Sequence, residues 1–291
     1  MEPASIPATI EVRPRPGNSA LRNNQHNCPT VQTHGSPVSS TKAVVTHSTR
    51  KIFVGTAAWS NPPAERLRRN DSASHLEHYA TQFGAVEINS SFYRSHRRAT
   101  YQNWRDATPA QFRFSVKMTR TVTHDCALRN CRTELKQFLA EVSGLGQKLQ
   151  VILVQTPASL AFEAAVVSRF FGALNTPKSH QIACEPRHPS WWTPRADAVL
   201  RRHGVARVAT DPARAPEAAS PGAAKRLIYY RLHGSPRMYY SAYSTEYLHT
   251  LAATVMTASS KAREVWCIFD NTARHASWDN ARLLCRLIGG A

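Results

Sequence analysis

The chain has 291 residues, 42% of them hydrophobic and 19% charged, with a formal net charge of +18. No apolar run approaches the roughly 18 residues that a membrane-spanning helix needs, so a membrane protein is not expected. The positive balance suits anionic partners such as phosphates or nucleic acid, although an arginine-rich background would charge solvated faces in the same way.

Met1 to Arg50 is rich in Pro, Ser, Thr, Asn and His and shows no apolar periodicity. It cannot bury enough surface to offset its ordering entropy, so residues 1–48 are read as a disordered extension. The segment lacks the continuous apolar stretch of a secretory signal, and Glu2 and Glu11 argue against a transit peptide. Residues 49–291 have the length of one α/β barrel, which takes about 250.

From Lys51 onward, strands and helices alternate. Ile52 to Thr56 reads as strand one, and His75 to Phe83 as a helix on its apolar spacing. Ala85 to Ile88 is strand two. Tyr101 to Ala107 is a short helix stopped at Thr108-Pro109. Phe112 to Lys117 alternates as strand three, followed by an amphipathic helix from Cys131 to Gly144. Gln150 to Val154 is strand four, and Glu163 to Leu174 a helix. Gln181 to Glu185 is strand five, and Pro194 opens a helix that ends at Gly204. Val205 to Ala209 is strand six, Pro212 to Ala224 a loop, and Leu227 to Leu232 strand seven. Ser244 caps a helix through Ala258. Glu264 to Phe269 is strand eight, and Trp278 to Ile288 the last helix. Eight such units close most naturally into a (β/α)8 TIM barrel, with a doubly wound open sheet as the alternative. No glycine-rich phosphate loop follows any strand, which weakens the nucleotide-binding folds.

In parallel α/β folds, ligands bind at the carboxyl ends of the strands. Those ends here carry an unusual density of reactive groups. The catalytic candidates are Glu87, Lys117, Glu185, His188 and His233. The substrate-binding candidates are Thr56, Trp59, Asn89, Tyr93, Arg120, His124, Arg187, Asp211, Arg231, Asp270 and Asn271. Carboxylates and imidazoles serve acid–base work when their neighbours push their pKa values apart. Guanidinium and ammonium groups beside them suit a carboxylate or phosphate. Singly, each has an ordinary structural reading, such as a carboxylate paired to an arginine inside the barrel mouth. Glu87, Glu185, His188, Asp211 and His233 could ligate a metal. The chain has no H-E-x-x-H and the surrounding cations disfavour a dication, so neither a metal nor another cofactor is expected. Of the six cysteines none forms a C-x-x-C pair, which fits reduced thiols and a cytoplasmic protein.

These segments resemble a known family. They are Gly55-Thr56 with Trp59-Ser60, Val86 to Tyr93, Phe114 to Lys117 running on to Arg120 and Thr123-His124, Glu185 to Trp191, Arg231 to Gly234, and Asn271 with Asn280-Ala281. In order and spacing the chain is similar to the YecE-like family, also called domain of unknown function 72. The resemblance implies a TIM barrel and implies no settled activity. Departures from the family pattern include Ala58 before Trp59, Pro186 between Glu185 and Arg187, Asp270 beside Asn271, His275, and Gln155-Thr156-Pro157-Ala158. The combined expectation is a hydrolase or lyase acting on an anionic, plausibly phosphorylated, small molecule. The competing expectation is a non-catalytic module that binds nucleic acid or another anion. A two-carboxylate carbohydrate enzyme using Glu87 and Glu185 is a third.

Overall fold

The structure is a computed structural model that describes residues 51–68, 73–174 and 180–289. The expectation for residues 1–48 lies outside the described residues, as does Cys28.

Parallel strands dominate, as the buried apolar runs require. β1 (Lys51–Thr56) pairs with β10 (Glu264–Phe269), β10 with β9 (Leu227–Leu232), and β9 with β7 (Ala209–Asp211). The second run joins β2 (Ala85–Ile88), β3 (Arg113–Lys117), β4 (Leu149–Gln155), β5 (Gln181–Glu185) and β6 (Val205–Arg207). A parallel bridge between Ala57 and Glu87 connects the runs on one side. On the other side they meet inside strand six, at Val208, whose N–H reaches the Cys184 carbonyl at 2.9 Å. The result is a TIM barrel.

Strand six is expected to be one element, Val205 to Ala209, and is two. The edge that faces β9 is shared. Val205–Arg207 gives it to an antiparallel return strand, β8 (Gly222–Ala223), and Ala209–Asp211 gives it to β9. Arg207 pins the intervening connection. Its guanidinium donates to Asp197 Oδ1 at 2.7 Å and to the Glu217 and Ser220 carbonyls at 2.7 and 3.2 Å.

Eight α-helices are described: α1 (Pro63–Arg68), α2 (His75–Ala80), α3 (Arg98–Asp106), α4 (Arg132–Val142), α5 (Ala164–Ala173), α6 (Pro194–Arg202), α7 (Thr245–Ser259) and α8 (Ala276–Gly289). Several starts follow from capping chemistry. Ser74 and Glu77 form a reciprocal capping box, Thr193 accepts the Ala196 N–H, and Ser244 accepts the Tyr247 N–H. α3 begins three residues before the expected Tyr101, because its first turn, Arg98 to Thr100, has no large apolar residue for the periodicity to register. α1 escapes the sequence reading because its one large apolar residue, Leu67, is exposed and makes no periodic stripe.

The core has two shells, set by the period-two alternation of strands. Outward side chains such as Ile88, Phe114, Ile152 and Val265 pack beneath the helices. Inward ones such as Val151, Leu153, Ala183, Val208, Trp266 and Ile268 fill the lumen. At the barrel floor the buried Glu264 accepts from the Gln150 and Gln181 side-chain amides at 3.0 and 2.7 Å. Above the apolar layers, the inward positions turn polar.

Candidate active site

The inward register explains which side chains meet. Ser115 and Lys117 are two apart on β3, and Tyr229 and Arg231 two apart on β9, so each pair shares the lumen face. In the strand ladders Glu87 stands level with Ser115, Gln155 with Glu185, and Thr210 with Arg231.

Arg231 is the centre of this layer and is fully buried. Its Nε and one terminal nitrogen clasp Glu87 at 3.1 and 2.8 Å. Its other terminal nitrogen donates to Glu185 Oε2 at 2.7 Å, and the first also reaches Asp270 Oδ2 at 3.1 Å. One guanidinium therefore joins carboxylates from β2, β5 and the end of β10. Planar forked donors suit such bidentate pairing. The sequence reading offers Arg231 an anionic substrate. In the structure its donors are taken up by three carboxylates.

Glu87 is equally committed, since its Oε2 also accepts the Tyr229 hydroxyl at 2.8 Å. Glu185 accepts from the Gln155 amide at 2.8 Å and from Arg187 Nε at 3.2 Å. Burial would raise its pKa, but Arg231, His233 and Arg187 outweigh burial and hold it well below the ordinary carboxylate range. Asp270 follows the same pattern: burial opposes ionisation, and Arg231 and His233 favour it more.

His233 sits above this ionic layer, its Nδ1 2.9 Å from Asp270 Oδ2 and its Nε2 3.6 Å from Glu185 Oε1. Burial would lower its pKa. The bonds to Asp270 and Glu185 reverse that and raise it above the usual histidine value. Lys117 moves the other way. Desolvation first, and Arg231 second, lower its ammonium to about 8, against the pull of Glu185, Glu87 and Asp270. Its Nζ lies 4.1 Å above the Phe92 ring. His124 stands edge-on to that ring at 4.9 Å, and burial together with Arg120, Lys117 and Arg187 lowers its pKa.

A roof covers the mouth. Tyr239 has a φ of 68°, in the left-handed region that few non-glycine residues adopt. Its ring meets His233 at 5.7 Å, and its phenol lies near the Arg187 guanidinium and favours its charged form. Beneath Met238, the space among Glu185, Arg187, Thr210 and His233 is about 10 Å3, the scale of one water.

The structure thus brings Glu87, Lys117, Glu185, His233, Arg187, Arg231, Asp270 and His124 to one end of the barrel. The remaining candidates stand at or beyond the same strand ends but outside this cluster. Thr56 is tied by its hydroxyl to the Ala58 carbonyl and Tyr79. Trp59 packs edge-on against Trp104. Asn89 precedes a 3-10 turn, Ser90–Phe92, with its Oδ1 buried and unpartnered among the described residues. Tyr93 is exposed, and Arg120 pairs with Asp125 at 3.3 Å. Both line a separate cavity of about 290 Å3 beside α4. His188 caps a short turn through Ser190. Asp211 is level with Leu232, on the outward face of β7, against Tyr247. Asn271 donates to the Ser241 carbonyl and to Asn280.

Ser115, Tyr229 and Tyr239 are absent from the sequence-based set of candidates. Period two from Lys117 and Arg231 points to the first two. Nothing local marks Tyr239. Among the described residues no three His, Cys, Asp or Glu side chains are grouped to hold a metal ion.

Residues 53–291 match the family described as "Protein of unknown function DUF72". The UPF0759 protein YecE of Escherichia coli K12 is 31% identical over 166 residues, which cover 55% of this chain and 59% of that protein. The chain thus spans somewhat over half the length of this curated relative. Among solved structures, a DUF72 family protein from Thermotoga maritima MSB8 is similar with a TM-score of 0.67 at 24% identity, over 82% of this chain and 99% of that one. One from Enterococcus faecalis V583 gives 0.68 at 21% identity, over 82% and 98%. At these identities the likeness speaks for the fold.

Proposed function

We propose that this chain, which belongs to the DUF72 family, is an enzyme that binds an anionic, phosphorylated small molecule at the barrel mouth and turns it over by proton transfer, as a hydrolase or lyase. One observation carries this reading. Two buried side chains at the mouth are shifted in opposite directions: burial lowers Lys117 to about 8, and against burial the bonds to Asp270 and Glu185 raise His233 above the usual histidine value. Acid–base partners are most effective when their pKa values lie near the working pH.

The roles divide by availability. Arg231, Glu87 and Tyr229 form a saturated base layer that keeps the site rigid. Arg187, Lys117 and His124 are the cationic side of the mouth and the groups that receive the phosphate in this reading, because Arg231 is already engaged by carboxylates. Arg187 keeps 22% of its side-chain surface accessible. His233, oriented by Asp270, is the proton carrier. Glu185 steadies both Arg187 and His233. A retaining or inverting pair of carboxylates finds less support, because Glu87 is fully engaged by Arg231 and Tyr229.

The test has two arms. Calorimetry with inorganic phosphate compares the wild type, Arg187→Ala and Arg201→Ala. A panel of sugar phosphates and phosphoesters is then screened for turnover. Loss of a partly buried guanidinium–anion contact is expected to weaken binding by about 2–5 kcal/mol, and loss of a charge on the remote helix α6 by well under 1 kcal/mol. Small equal losses at both positions, each lowering the salt dependence, would instead favour the diffuse nucleic-acid binder that the net charge of +18 permits.

A further inference from the structure

Lysines in this fold are used in two contrasting ways. Lys148 is satisfied in place. Its ammonium donates to the Arg105 carbonyl, and to the Thr108 carbonyl and hydroxyl at 2.7 and 3.1 Å. Lys117 is more deeply buried, with 5% of its surface accessible, yet among the described residues its Nζ makes no hydrogen bond and no ion pair. Its close contact is the face of Phe92. The carboxylates that could neutralise it, Glu87, Glu185 and Asp270, are all turned to Arg231.

A buried ammonium without partners costs stability, and the chain has acceptors nearby that do not serve it. An arrangement that keeps a lysine largely out of water, beside a guanidinium and with the neighbouring carboxylates committed to that guanidinium, favours the free amine. A free lysine amine in a desolvated site is a nucleophile for carbonyl carbon.

We propose that Lys117 captures a carbonyl group of the substrate as an imine, so that the substrate class is an aldehyde or ketone carrying a phosphate. This rests on the mouth being the active site, as proposed above. The neutral Nζ lone pair attacks the carbonyl carbon and forms the C–N bond. The C=O π pair moves to oxygen, which takes a proton from a donor such as His233. The nitrogen returns a proton to that same group, which passes it to the carbinolamine hydroxyl; the C–O bond breaks, water leaves and a protonated imine remains. The imine then draws electrons from the adjacent carbon, so a bond to that carbon can be cleaved or a proton removed from it. No oxidant or reductant is consumed.

Glycolaldehyde phosphate and cyanoborohydride are added to the full-length protein, which is then digested and mapped by mass spectrometry. Hydride delivered to an imine carbon leaves a stable secondary amine. The expected result is a saturable adduct on Lys117, formed about 50-fold faster at pH 8 than at pH 6, following the neutral fraction of an amine that titrates near 8. Lys117→Arg, checked for folding by its thermal midpoint, should lose the adduct. Unphosphorylated glycolaldehyde separates the two ideas. Equal trapping of both aldehydes on Lys117 upholds the imine and overturns the phosphate reading. Phosphate binding that depends on Arg187, with modification confined to surface lysines such as Lys136 and Lys261, upholds the reading and overturns the imine.

Discussion

Arg231 and Lys117 show how two cations at one depth come to opposite states. Arg231 has three carboxylate partners and stays charged, its pKa raised well above the ordinary value despite the cost of burial. Removing it leaves the buried Glu87 without an ion-pair partner and leaves Glu185 and Asp270 only Arg187 and His233. Arg231→Ala is expected to lose about 3–5 kcal/mol of stability in a denaturant melt, and a loss under about 1 kcal/mol would show that the carboxylates find other partners. Lys117 predicts the reverse. The unfolded chain holds this proton up to about 10.5, and the folded chain only up to about 8. Folding therefore releases a proton between those values, and stability from this residue rises with pH across that window. Lys117→Met should be more stable than wild type at pH 7, by up to roughly 3 kcal/mol, with the advantage fading by pH 10. Melts at the two pH values decide it. His233 has the opposite slope: its raised folded pKa adds stability that is complete below the ordinary histidine value and lost as pH climbs through the folded one.

At the scale of elements, the barrel closes where β1 meets β2, and Gly55 permits it. A Cβ on Gly55 would stand 2.1 Å from the Ala85 carbonyl oxygen. Gly55→Ala must push the strands apart, with an expected cost of about 1–3 kcal/mol. The buried Tyr79 hydroxyl bridges the same seam, donating to Ala85 O and accepting from Thr56 N at 3.0 and 2.9 Å. The roof over the mouth has a comparable tie. Tyr243 accepts the Gly234 N–H at 2.8 Å and donates to the Asp211 carbonyl at 2.9 Å. Tyr243→Phe leaves the Gly234 N–H unpaired and the Asp211 carbonyl with only the His233 N–H, and should cost about 1–3 kcal/mol. Because the segment it ties covers His233, amide exchange at Gly234 to Ser241 should quicken more than exchange in β4. Equal exchange throughout would place the roof's stability elsewhere.

For the whole molecule, the question is whether its charge is focused or spread. A ligand that binds only the folded state stabilises it by about 2.7 kcal/mol at a concentration one hundred times its Kd. For a domain of this size that corresponds to roughly 5–10 °C in thermal midpoint. Phosphate should produce such a rise over chloride at equal ionic strength, and Arg187→Ala should abolish it. A rise that survives Arg187→Ala would mean that the anion binds along the surface.

Much of the barrel was legible because strands and helices leave different apolar periods. β2, β5, β9 and β10 have the bounds expected from the sequence, and the abrupt change from apolar to reactive residues at their ends marked the rim. The sharing of one strand edge between β8 and β9, and the polar first turn of α3, leave no such period. The site divides in the same way. Residue types at the strand ends are local information, so Glu87, Lys117, Glu185, Arg231, His233 and Asp270 could be named together from the sequence alone. Which of them pair is not local. Arg231 could have met a substrate or three carboxylates, Asp211 could have faced the lumen or the outer wall, and Lys117 could have been paired or left bare. The closed barrel decided these, because register fixes which side chains share a face and at what height. At that depth, burial and the nearest charge set the state of each group, and both depend on residues more than a hundred positions away, as with Glu87 and Arg231.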